Sequence, residues 1–132
     1  MDVGALIRVR NAARESIAAT PADHGSAWQG LVETYQALLQ QARELMDEVS
    51  RSEMDRLFAK EIDTDGAGRS PVRDPSAMFK QQEVASEART RIAALAGWLD
   101  GHIEEAQLGA RLEAEANAYA RERVRRETSS ET

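Results

Sequence analysis

The sequence predicts an all-α fold: a long antiparallel, coiled-coil-like helical hairpin carrying a short N-terminal helix, the whole making a three- to four-helix bundle. Three observations predict it. Apolar residues recur three and four apart at Trp28, Leu31, Tyr35, Leu38, Ala42, Leu45 and Val49, the spacing that lines one side of an amphipathic helix. A second stripe runs through Met78, Phe79, Ala85, Ala88, Ile92, Leu95, Leu99 and Ile103. Alanine, the best helix former, occurs 23 times.

The first element, over residues 2–19, places Val3, Leu6, Ile7, Ala13 and Ile17 on one broad face with arginines opposite. Two start signals follow it. Thr20-Pro21-Ala22-Asp23 offers a capping residue, a proline at the first helical position and an acid three on from the cap; Ser26-Ala27-Trp28-Gln29 is a second capping box. His24-Gly25 between them favours the later start, with His24 exposed in the turn. The second helix is expected over 27–62, its seam continuing through Met54, Leu57, Phe58 and Ile62. Its rhythm slips between Val49 and Met54, which reads as a stutter.

Residues 63–74 read as a loop, with two glycines, Ser70 and Pro71. Asp74-Pro75 then opens a third helix, expected over 75–107. Gly97, Gly101 and Gly109 interrupt it, each weakening a helix interior by about 1 kcal/mol relative to alanine. Gly97 and Gly101 lie four apart, on a face another helix could approach closely, whereas Gly109 marks a kink or break before a last helix over 110–127 that continues or folds back. On that helix Leu112, Ala116, Tyr119 and Arg123 share a side, and 128–132 read as a disordered tail. A helix over 27–62 would be about 54 Å long, and 76–111 would match it antiparallel. The first helix covers only half of that rod, so the thin end calls for a second protomer.

Composition bounds the function. A chain of 132 residues suits one domain, 1–127, but only 32 of its residues are large and apolar, so self-association into a homo-oligomer is expected. Net charge −6 and a pI near 5.0 argue against a nucleic-acid partner. There is no cysteine, hence no disulfide framework or thiolate chemistry. Residues 1–14 carry Asp2, Arg8, Arg10 and Arg14 and so lack the apolar core of a signal peptide, and no run approaches a membrane span. The expected location is the cytoplasm. Fifteen arginines against two lysines, with abundant alanine, are what a GC-rich bacterial genome produces.

Several constellations bear on chemistry. Asp63-Thr64-Asp65-Gly66 suggests a calcium loop, but a register from Glu61 puts Val72 at the bidentate position, and one from Asp63 leaves Ala67 as a ligand, so a solvated acidic turn is expected. His102 falls near the seam with Leu99 three residues before it, where a di-iron bundle needs a glutamate. Arg121, Arg123, Arg125 and Arg126 form the one basic cluster, diluted by Glu122 and Glu127 and suited to a helix C-terminus. Trp28-Gln29-Gly30 has the Trp-x-Gly form of small secreted helical hairpins of the WXG100 type. The first helix here is too short for them, and Arg123 stands where their export signal has an acid.

No catalytic, cofactor or metal residue is assigned. The expected function is that of a non-enzymatic helical interaction protein, a small adaptor, chaperone-like or regulatory subunit, with Trp28, Tyr35, Leu38, Leu45, Ile92, Leu95, Trp98, Leu99 and Tyr119 as assembly residues. Trp98, beside the Leu95 and Leu99 seam, is expected to reach a second chain. The alternative is a metal-dependent enzyme like the all-α nucleotide pyrophosphohydrolases, using Glu44, Asp47, Asp100 and Glu104, which are paired three and four apart.

Overall fold

A computed structural model describes residues 2–20 and 25–130. The Thr20-Pro21-Ala22-Asp23 start signal, His24 and the last two residues of the tail lie wholly or partly outside them. Four α-helices are present and, among the described residues, no strand: α1 (Val3–Ala19), α2 (Trp28–Leu45), α3 (Glu48–Leu57) and α4 (Ser76–Ser130), with a single 3-10 turn at Gly25–Ala27. No described helix is long and apolar enough to cross a membrane.

α1, α3 and α4 begin where an aspartate supplies an acceptor for unpaired N–H groups, whereas α2 follows the 3-10 turn with no side-chain bond from its cap residue Ala27. Asp2 accepts the Ala5 N–H at 3.0 Å and starts α1. Asp74 accepts from the Ser76 N–H at 3.1 Å and the Ser76 hydroxyl at 2.6 Å, so α4 starts one residue after the proline predicted to open it.

The expected second helix over 27–62 is two helices. Met46 and Asp47 are extended, and the Asp47 carboxylate accepts the Ser50 N–H at 2.8 Å, so the slip in rhythm is a corner with its own cap. Arg43 fastens the corner through two hydrogen bonds to Asp55, at 3.0 and 3.2 Å, and Arg51 donates to the Arg43 carbonyl at 3.0 Å. Val49, placed on the seam by its spacing, is 79% exposed as a result. α3 stops at Leu57, short of the expected Ile62. From there the chain follows α4 without helical bonds, held where Arg91 donates to the Lys60 carbonyl and Gln81 to the Ala67 carbonyl.

The expected break at Gly109 is also absent: α4 is one helix of 55 residues, about 82 Å long at 1.5 Å per residue. Residues 110–127 hold no proline or glycine and are mostly alanine, arginine and glutamate, whose propensity outweighs a single glycine. Local pairs support the far end, Arg123 to Glu127 at 3.4 Å and Arg125 to Glu122 at 2.8 Å. Helix continues to Ser130, into the segment expected to be a disordered tail.

Cross-chain bonds fix the path of the chain. Arg10 and Arg14 both meet Asp100, and Arg89 donates to the Ile17 and Thr20 carbonyls, so α1 runs antiparallel to α4. Gly25 faces Gln82 and Tyr35 lies under Arg91, so α2 runs parallel to α4, where the sequence predicted an antiparallel partner. Glu53 with Trp98 and Asp63 with Lys80 bring α3 and the following segment back antiparallel. The hairpin is therefore replaced by an up-and-down path whose corner sits at Asp47. Leu6, Leu38, Met54, Ile92, Leu95 and Leu99 fill the centre, each at most 5% exposed. At Gly25 an added Cβ would lie 2.9 Å from Gln82 Cγ and 3.1 Å from its backbone nitrogen, so the α1–α2 connection needs glycine to pass α4.

Candidate interaction surface

α4 uses its two halves differently. Up to Ile103 its inward face is buried by α1, α2 and α3; beyond Ala106 it leaves the bundle. Residues 107–121 and 123–129 are exposed, and Glu122 is half-buried beneath Arg125 and Arg126, which pair with it. This arm is about 36 Å long. It needs no packing to be helical, because the bundled half has already met the nucleation cost and each added residue only propagates the helix.

Large apolar side chains stand in water along the arm: Leu108 is 49% exposed, Leu112 55%, Tyr119 72% and Val124 62%. The phase of Leu108, Leu112 and Tyr119 sets them apart from the core, while Val124 lies on the opposite side of the arm. Leu108 follows the buried Leu99 by nine residues, about two and a half turns, so it points away from the bundle. Leu112 and Tyr119 continue that line, and Gly97 and Gly101 extend it backward over the bundled half. A Cβ built at either glycine meets nothing within 4 Å. One exposed strip thus runs along the outer side of α4 from Gly97 to Tyr119.

Of the residues predicted for assembly, Tyr35, Leu38, Ile92, Leu95 and Leu99 are buried in the chain's own core, and Trp28 and Leu45 are half-buried against it. Trp98, expected to reach a second chain, is occupied within this one. Its indole N–H donates to Glu53 at 2.7 Å, Phe58 meets it edge-on at 6.3 Å, and His102 tilts over it at 4.1 Å. This cluster ties α3 to α4. Tyr119 alone of the set stands clear of the fold; Leu108 and Val124 join it on the arm and were not singled out, although Leu108 shares its heptad spacing.

Three of the four acids of the hydrolase reading have other partners, Glu44 accepting from Gln40 at 3.2 Å. Both Asp100 oxygens are taken by Arg10 and Arg14. Asp47 caps α3, and the Ser50 N–H holds its carboxyl below the usual carboxylate range. No group of three or more His, Cys, Asp or Glu side chains among the described residues is arranged to hold a metal ion. In the expected acidic turn, Asp63 accepts the Asp65 N–H at 3.0 Å and pairs with Lys80 at 3.4 Å, both of which lower its pKa.

A cleft of about 410 Å³ lies between α2 and the α3 segment, floored by Leu39, Phe58 and Ile62 and rimmed by Gln36, Gln40 and the Arg43 to Asp55 pair. Tyr35 also lines it, and its hydroxyl is buried without a hydrogen-bond partner. Comparison with protein families, with curated proteins and with solved structures finds no match for this chain.

Proposed function

We propose that this chain is a non-enzymatic interaction subunit, a small cytoplasmic adaptor or regulatory component that binds through the projecting half of α4. The observation that carries the reading is the arm itself. It places Leu108, Leu112, Tyr119 and Val124 in water, each about half exposed or more, on a helix that contributes nothing to the core. An amphipathic helix with an uncovered apolar strip is the element that recognition by helix pairing uses. Exposed apolar side chains grouped on one element mark interaction sites more often than chance placement does.

The test is site-specific photo-crosslinking in cells expressing the chain. A benzophenone side chain in place of Tyr119 is expected to give a covalent protein adduct, and one in place of the exposed Asn11 on α1 is not. Adducts of equal yield at the two positions, or none at Tyr119, would remove the arm as the working surface.

A further inference from the structure

Resting on that reading, we propose that the arm's occupant is a second copy of this chain, paired antiparallel along the outer strip of α4. Three observations lead there. Charge is distributed unequally along the helix. Residues 104–115 carry Glu104, Glu105, Glu113 and Glu115 against one Arg111, while residues 121–126 carry Arg121, Arg123, Arg125 and Arg126 against one Glu122. Two parallel copies would stack acid on acid and arginine on arginine. Antiparallel copies set Arg121, Arg123 and Arg125 of each beside Glu104 and Glu105 of the other, with Glu113 and Glu115 near the axis, so the antiparallel orientation is the more complementary of the two.

The apolar residues support the same arrangement. Leu108, Leu112 and Tyr119 are spaced by four and seven, on the seam of a two-helix coil. With a two-fold axis between Leu112 and Glu115, Leu108 of each copy meets Tyr119 of the other. The far end of each arm, near Arg126, then lies over Gly101 of its partner. That is where the outer side of α4 is open, with no atom within 4 Å of a Cβ built on Gly97 or Gly101. The two glycines that weaken α4 thus form the floor on which the partner's arm rests.

Steric access and size agree. The strip faces away from α1, α2 and α3, so two bundles sit at opposite ends of the paired helices without colliding. The overlap covers residues 97–130 of each chain, and four positions per heptad give roughly 20 contacting residues a side, the lower limit of a standard stable interface.

The test uses the full chain, which carries no cysteine and so takes a single label cleanly. Light scattering at tens of micromolar is expected to give twice the 14.6 kDa chain mass. Tyr119→Glu or Leu112→Glu should weaken dimerisation at least tenfold with unchanged helical circular dichroism. A spin label at Arg126→Cys should report a separation of about 38 Å across the two-fold, against about 10 Å for a parallel pair. A heptad shift in register moves the long distance by about 10 Å and keeps it distinct. A monomer at these concentrations, or a 126-to-126 distance below about 15 Å, overturns the proposal. The crosslinked adduct separates this failure from that of the parent reading: a product of two chains supports both, a product with a different protein keeps the interaction role and removes the dimer, and no adduct removes both.

Discussion

The two halves of α4 share one backbone and similar alanine content, yet one is held by the bundle and the other by itself. Between Ser76 and Ala106 every third or fourth side chain is buried: Ala88, Ile92, Leu95 and Leu99 are wholly covered. From 107 to 129 every residue but Glu122 is exposed, and order rests on propensity and on pairs such as Arg125 with Glu122. Helical content and tertiary stability are therefore separate properties here. The first extends along the whole helix, and the second ends near Ile103.

Matched truncations expose the contrast most strongly. Leu95→Ala empties a fully buried position and should lower stability by about 2–5 kcal/mol in a denaturant titration. Leu112→Ala on the arm should stay within about 0.5 kcal/mol, measured at a concentration where the chain is monomeric. Equal effects would mean that the arm folds back onto the bundle.

Tyr35→Phe tests the bundle half from the opposite direction. The Tyr35 hydroxyl is buried with no partner, and an unsatisfied buried group costs about 1–3 kcal/mol. Its removal should raise the thermal midpoint or leave it unchanged. A clear loss of stability would show that the hydroxyl makes a bond that matters.

Gly101→Ala works on the boundary between the halves. It adds a methyl group to an exposed helix position where nothing stands within 4 Å, so the monomer should gain about 0.5–1 kcal/mol. Gly101→Trp at the same position should oppose self-association, because it fills the floor proposed for the partner's arm. A variant that dimerises as well as the parent would place the partner elsewhere.

Acid should act on the bundle through its capping and paired aspartates. Asp47, Asp55, Asp63 and Asp74 all sit below the ordinary carboxylate range, held there respectively by the Ser50 N–H, the Arg43 guanidinium, the Asp65 N–H with Lys80, and Ser76 with Arg69. A folded pKa below the unfolded value of about 3.9 gives stability that is present above it and lost as pH falls through the folded value. The thermal midpoint should be level above about pH 5 and decline below about pH 4. Amide exchange should accelerate first at the α2–α3 corner and in the loop before α4.

Much of this was legible in the sequence, for identifiable reasons. Asp74-Pro75 gave the start of α4 to within a residue because a cap and a proline act locally. The Asp47 corner was visible only as a slip in rhythm, and a slip is equally compatible with a stutter in a continuous helix. The Asp47 carboxylate that decides between them is one of 23 acids in the chain. Continuity through Gly109 was lost because one glycine was weighed alone, without the strong helix formers on both sides. Apolar spacing located the strip at Leu112, Ala116 and Tyr119. The same spacing at Leu95 and Leu99 could not say whether the covering helix came from this chain, and there it does.

The bonds that fasten α1 have a consequence for the order of folding. Arg10 reaches Asp100 across 90 positions of sequence, Arg14 reaches it across 86, and Arg89 reaches the Ile17 carbonyl across 72. Helical proteins usually fold quickly because their contacts are local, whereas contacts this distant slow the search. The face of α1 has its main partner on α4, which is made after α1, α2 and α3. During synthesis α1 must wait for α4 before Leu6 and Ala13 are fully covered.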